Sequence, residues 1–379
     1  MADPTRGSCD ARFAAVRDAL RENVAERDEL GAAVAVVLDG RPVVDLWCGW
    51  ADARRTRAWQ RDTLVNAFSV GKAFAGLCLL MLVSRGAAGL DDPVVRHWPE
   101  FAAAGKDEVT LRQLLSHRAG LAAITEMLPE GALYDWDRVA AALAAQEPWW
   151  TPGSGHGYHV HTFGFLAGEL VRRLGGERIG VFLEREVAQP LGARVSFGLP
   201  ERERPLRADF VFDERRALRT RAELGELAGR SLRAAAYLNP PGAMGVGTVN
   251  TLAWQQAEIP SANLHADARG VAAVYAALAR ESPGLLGGDV LAEATREHSV
   301  GTDLVLERPS RFGLGFQLTQ RERPLGPHEC GFGHFGAGGS VGFGDPREGL
   351  AFAYLMNRGG PQWQDPRNRA LIEATYSSL

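Results

Sequence analysis

The sequence predicts an α+β protein, with one mixed sheet assembled from both chain ends and a helical lobe inserted between them. Two observations carry this reading. Alternating or β-branched apolar runs cluster before residue 50 and after residue 311. The segment between them reads as amphipathic helices joined by loops. The length agrees, because 379 residues exceed what one domain of ~150 residues needs.

Residues 11–28 place Phe13, Val16, Leu20 and Val24 on one helical face. Residues 31–38 and 42–48 are apolar runs around Asp39-Gly40, a strong hairpin turn signal. Residues 63–68 approach Ser69 as extended chain, and a long helix follows from about Ser69 to Ser84, ending before Gly86. Thr110 caps a helix that runs toward His117. Residues 136–146 and 162–174 form two more amphipathic helices, and 267–281 another. The densely charged segment 200–230 reads as a solvated excursion, and Pro240–Gly247 as a Gly-rich junction. Phe312–Thr319, Phe335–Phe343 and Leu350–Asn357 are short extended runs, and a last helix covers about 364–378. The expected division assigns residues 1–68 and 300–379 to the sheet domain and 69–299 to the mainly helical lobe, with Ser69 at the interface cleft.

Composition narrows the function classes. Hydrophobic residues make up 46% and charged residues 23%, and the net charge is -4. That balance offers no basic footprint for nucleic acid and no polybasic membrane signal. The longest apolar stretch, Ala73 to Val83, is too short to span a bilayer, and the first residues lack the pattern of a secretory signal. A cytoplasmic protein is therefore expected. Cys9, Cys48, Cys78 and Cys330 have irregular spacing, fitting reduced thiols rather than a disulfide framework or zinc site; Cys48 and Cys78 sit in apolar runs and read as core. No cofactor is expected.

Of 42 basic Lys and Arg residues only Lys72 and Lys106 are lysines. Arginine does not give up its proton in a protein, whereas a desolvated lysine does. Lys106 reads as part of a surface loop. Lys72 lies in an apolar run and closes Ser69-Val70-Gly71-Lys72, an S-x-x-K motif. On a helix, residues three apart share a face. Ser69 would then stand at a helix N-terminus, where free N–H groups favour developing negative charge. Lys72 would sit one turn further on, able to serve as a base once desolvated.

Trp150–Val160 is a turn-rich loop entering a helix and exposing Tyr158. A phenol beside an ammonium can act as a general base. His156, His159 and His161 form H-x-x-H-x-H, but no carboxylate motif accompanies them and a metal site is not expected. Gly333–Ser340 places small residues on a strand, suited to an oxyanion hole and an acyl-binding edge. The same stretch holds a rival nucleophile, because Gly338-Gly339-Ser340-Val341-Gly342 fits G-x-S-x-G. That elbow needs a helix after the serine, and the following Gly and Pro residues break one. Ser340 is therefore read as a decoy.

Three motifs stand in one order: S-x-x-K, then Tyr, then His334-Phe335-Gly336. That order resembles the serine β-lactamase and penicillin-binding-protein superfamily, most of all class C β-lactamases and family VIII carboxylesterases. Val109–Leu121 (VTLRQLLSHRAGL) and Phe163–Arg172 (FGFLAGELVR) are similar to the same family, and the likeness runs from about residue 30 to 357. The resemblance implies an antiparallel sheet flanked by helices, with an inserted all-helical lobe. It implies that Ser69 is acylated, that Lys72 deprotonates it or tunes Tyr158, and that Tyr158 relays a proton to the leaving group. His334, Phe335, Gly336 and Ala337 would form the substrate-binding and oxyanion strand, with the N–H groups of Ser69 and Ala337 as donors. Two departures matter. Val160 replaces the Asn of Tyr-x-Asn, and His334 replaces the Lys of K-T-G, removing an amide anchor and a permanent cation. Both favour a carboxylesterase on small-molecule ester or acyl substrates over a β-lactamase or D,D-peptidase. An acyltransferase passing the acyl group to an amine or alcohol stays open. Trp136, Trp149, Trp150 and Trp254 fit either a pocket lining or the core.

Overall fold

The computed structural model describes residues 5–226, 231–280, 285–360 and 365–379. Its strands in chain order are β1 Thr5–Cys9, β2 Gly31–Leu38, β3 Arg41–Gly49, β4 Val65–Asn66, β5 Val195–Phe197, β6 Leu264–Ala266, β7 Ser299–Thr302, β8 Pro309–Phe312, β9 Gln317–Leu318, β10 Phe332–Phe335, β11 Val341–Asp345 and β12 Leu350–Met356. Nine of them make one antiparallel sheet in the order β1-β3-β2-β12-β11-β10-β9-β8-β7. The two chain ends meet at the β2–β12 pair, where Val34 faces Tyr354 and Val36 faces Phe352. The sheet from both termini is thus as the sequence predicts. The expected hairpin is present too, its turn made by Asp39 (φ 49°) and Gly40 (φ 77°).

Every residue of β12 is buried, as are the first six of β2, so the middle of the sheet is covered on both faces. Helix Ala268–Ala279 packs on β2, β11 and β12, with Val271 and Tyr275 against Gly342. Helices Ala14–Glu26 and Pro366–Tyr376 pack on each other, and the first also contacts β1 and β3. Helix Gly71–Ser84 is apolar all round and buried from Gly71 through Leu82, as such a helix must be. It packs against helix Thr162–Gly175 in the inserted region.

Several expectations need correction. The inserted region is not wholly helical, because β6 pairs with both β4 and β5 in a second, three-stranded sheet. The run Phe335–Phe343 is not one strand. Gly338 (φ 84°) and Gly339 (φ 123°) turn the chain, so β10 and β11 form a hairpin with His334 opposite Gly342. Lys106 does not lie on the surface. Its side chain is fully buried, its ammonium donates to the carbonyls of Ala103 and Gln146, and it stands 5.3 Å from the Phe101 ring centre. Two main-chain carbonyls, one in its own turn and one forty residues away, hold it where sequence showed only Gly and acidic neighbours. The segment 200–230 is not merely solvated, since Phe210 is buried and packs edge-on to Phe68 and Phe212. Residues 227–230 of that segment, and residue 364 of the last helix, lie outside the described residues. All four cysteines are free, with Cys48 and Cys78 buried as expected. Among the described residues no helix is long and apolar enough to cross a membrane.

Candidate active site

The chain reaches Ser69 through a single 3-10 turn, Phe68–Val70, that runs directly into helix Gly71–Ser84. Phe68 has φ 50°, a left-handed conformation costing a bulky residue on the order of 1–2 kcal/mol, so the turn is held by its surroundings. Two glycines make room for it. A Cβ on Gly71 would lie 2.4 Å from the Pro260 carbonyl oxygen, and one on Gly336 would lie 2.3 Å from the Ala67 carbonyl oxygen. The nucleophile turn is thereby wedged between the Pro260–Ser261 segment and the end of β10.

Lys72 is fully buried, and its Nζ lies 3.2 Å from Ser69 Oγ. The same nitrogen is 2.7 Å from the Val160 carbonyl and 3.1 Å from the Ser261 carbonyl. Burial alone holds this amine well below the ordinary lysine range. A neutral amine has two N–H bonds and one lone pair. The two carbonyls take the N–H bonds, which leaves the lone pair for the Ser69 hydroxyl proton. A protonated amine would find three acceptors at the same three places. The cage therefore serves both protonation states.

The Tyr158 ring centre stands 4.6 Å from Lys72 Nζ. Burial pushes its phenol well above the ordinary tyrosine range, opposed by a hydrogen bond with Ser69. Its backbone N–H donates to both carboxylate oxygens of the fully buried Asp303, at 3.0 and 3.1 Å. Asp303 also accepts from the N–H groups of Val305 and Leu306 and from the Ser310 hydroxyl. The phenol ring stacks on Phe312, with centres 5.9 Å apart and planes 12° from parallel. So Tyr158, distant in sequence, converges with Ser69 and Lys72.

A cavity of about 190 Å³ opens beside them, walled by Ser69, Tyr158, Val160, His161, Ala337 and Gly338, and by Phe68, Phe210, Phe212, Tyr237 and Met244. Ala337 lines it. His334, Phe335 and Gly336 are not among its wall residues. His334 is buried, with Nδ1 2.6 Å from the Phe335 carbonyl, and desolvation pushes its pKa down to about 3. The Phe335 N–H donates to Gln317 and the Gly336 N–H to the Ser340 carbonyl, so neither is available to an oxyanion. Ser340 is fully buried and is followed by strand β11, not a helix.

The three histidines do not converge on an ion. His156 hydrogen-bonds Ser310. His159 accepts from Leu121 N–H and donates to the Gly157 carbonyl, which fixes a neutral ring. Among the described residues no group of three His, Cys, Asp or Glu could hold a metal. Trp136 and Trp254 bond Glu169 and Asn66, and none of the four tryptophans lines the cavity. Sequence reasoning missed Phe210, Phe212 and Tyr237 as wall residues. The apolar island Phe210-Val211-Phe212 inside a charged stretch was the available signal. The carbonyl cage had none, because every residue has a carbonyl.

A nucleophilic hydroxyl, a desolvated amine and a phenol in a cleft beside an antiparallel sheet define a hydrolase of the serine-nucleophile type. The chain belongs to the beta-lactamase family, whose model matches residues 16–377. It is 34% identical to the esterase/beta-lactamase LipL of Mycobacterium tuberculosis, over 93% of this chain and 82% of that protein. It is 29% identical to esterase EstB of Burkholderia gladioli, over 99% of this chain and 98% of that one. The crystal structure of a family VIII carboxylesterase superposes with a TM-score of 0.89 at 39% identity, covering 99% of this chain and all of that one.

Proposed function

We propose that the protein is a carboxylesterase that forms an acyl-Ser69 intermediate on uncharged esters. The single observation carrying this is the Lys72 cage, which leaves one lone pair aimed at the Ser69 hydroxyl. In acylation Ser69 Oγ attacks the ester carbonyl carbon while its proton passes to Lys72. The N–H groups of Ser69 and Ala337 take the oxyanion, Ala337 being the member of its strand end that lines the cavity. As the C–O bond breaks, the Tyr158 phenol gives its proton to the departing alkoxide and recovers one from Lys72. Water then repeats the sequence in reverse and frees the acid. With the amine below and the phenol above their usual ranges, the resting site is neutral, which favours Lys72 over a phenolate as base.

The substrate class follows from the wall. Its volume equals about six waters at ~30 Å³ each, enough for a short acyl chain. Among the described lining residues none is Lys or Arg, and His334 is neutral at physiological pH. Arg308 lies outside the wall, although its field lowers Tyr158 and Tyr237. An apolar, uncharged acyl group fits better than a β-lactam carboxylate, and weak or no nitrocefin turnover is expected. EstB carries esterase alone in its name, which supports the same choice, and LipL carries both esterase and beta-lactamase. The same residues would pass the acyl group to an alcohol or amine, and product analysis with an added acceptor separates the two outcomes.

The test is intact-mass and peptide mapping after a fluorophosphonate, alongside hydrolysis of 4-nitrophenyl esters. The label should fall on Ser69, Ser69→Ala should abolish turnover, and Ser340→Ala should keep most of it. A label on Ser340, or an inactive Ser340→Ala that is folded, refutes the assignment.

A further inference from the structure

His161 is a polar wall residue that this mechanism does not use, as are Asp213, Thr220 and Tyr237. It lines the cavity, its side chain is 7% exposed, and neither ring nitrogen has a hydrogen-bond partner. It directly follows Val160, whose carbonyl holds Lys72, and it precedes helix Thr162–Gly175 without capping it through its side chain. Its neighbours in kind are bonded: His117, His156 and His159 each bond a backbone or hydroxyl group, and His334 bonds the Phe335 carbonyl through Nδ1, while its Nε2 has no partner. Burial keeps the ring neutral, at about 3. A neutral imidazole offers one donor and one acceptor. Burying both without partners is unfavourable, and leucine or phenylalanine would complete an apolar wall without that cost.

We propose that His161 is a specificity-determining residue that hydrogen-bonds an uncharged hydroxyl carried by the ester substrate. This rests on the carboxylesterase reading above. A hydroxyl matches the ring because it too both donates and accepts, and a neutral ring gives a carboxylate no charge to pair with. The ring makes no hydrogen bond within the protein, so pairing with a hydroxyl in the cavity breaks none. Sites built around such a pairing discriminate strongly against the analogue that lacks the hydroxyl.

The experiment compares kcat/KM within two ester pairs: 4-nitrophenyl butyrate with 4-nitrophenyl 3-hydroxybutyrate, and ethyl butyrate with 2-hydroxyethyl butyrate. Wild type, His161→Phe and His161→Asn are each assayed. Taking the ratio of variant to wild type cancels the intrinsic reactivity of each ester. In one pair, His161→Phe should lower the hydroxylated-to-plain ratio about tenfold while the plain ester changes less than about threefold. His161→Asn, which keeps a donor and an acceptor, should hold the ratio within about threefold. The responding pair tells whether the hydroxyl belongs to the acyl or the alcohol side. If His161→Phe fails to unfold cooperatively, His161→Leu, close to histidine in volume, takes its place. An unchanged ratio in both pairs, or an equal fall for both members of each pair, overturns the proposal. Fluorophosphonate labelling of Ser69 with an unchanged ratio overturns this proposal alone. No label and no turnover of any ester overturns the carboxylesterase reading as well.

Discussion

Replacing Lys72 with Met tests the protonation state on which the chemistry depends. The amine is fully buried, and desolvation is the cause of its lowered pKa. In the unfolded chain lysine titrates near 10.4. Between the folded and unfolded values the unfolded state therefore holds one proton more than the folded state. Stability then rises with pH at about 1.36 kcal/mol per unit, and it is lost as pH falls toward the folded value. Between pH 8 and 9.5, below the unfolded value, this one group should contribute stability that rises with pH. Lys72→Met removes that slope, whatever it does to the absolute stability. The assay is urea unfolding of both proteins at the two pH values. The difference between their pH dependences isolates Lys72 from every other titrating group. Parallel dependences would mean that the folded amine stays charged, and Lys72 would then lose its place as the base. The same variant should lower kcat by at least ~10².

Gly71→Ala should drive its new methyl into the Pro260 carbonyl, a backbone group that cannot yield cheaply. An overpacking cost of about 1–3 kcal/mol corresponds to a Tm loss of about 1–4 °C for a chain of this length, with kcat falling more than KM rises as the Ser261 carbonyl leaves Lys72. Gly225→Ala, in an exposed helical position with open space around it, is the contrast and should raise Tm slightly without touching activity. Asp303→Asn swaps a carboxylate that accepts four kinds of donor for an amide; calorimetry should show at least about 1.5 kcal/mol of lost stability, and kcat should drop as Tyr158 loosens. The pH profile of kcat/KM should carry no histidine limb between pH 5 and 8, because burial holds His159 at about 4 and His161 and His334 at about 3. An acid limb within that range that vanishes in His334→Gln would refute this.

The S-x-x-K spacing was readable because three residues on a helix span one turn whatever the rest of the chain does. The scarcity of lysine singled out Lys72, and the Gly and Pro residues after Ser340 removed its rival. The strand runs at both ends gave the sheet, since apolar periodicity is a local property. The glycine turn at Gly338–Gly339 escaped notice, because a glycine-rich strand and a glycine-made hairpin share one composition. Lys106 was misplaced for a related reason: its acceptors are main-chain carbonyls supplied by a fold-back and by Gln146, forty residues away.

What the sequence determined by itself was the candidate reacting groups and the architecture that carries them. What only the tertiary structure decided was their electrostatic state. Lys72 is held below the ordinary lysine range by its place in a helix buried on every side, and its nitrogen is oriented by the carbonyls of Val160 and Ser261, 88 and 189 residues away. Carbonyl groups are common to all residues and desolvation is a property of packing. Neither leaves a mark in residue type or spacing, so the chain must fold before the amine's proton affinity is set.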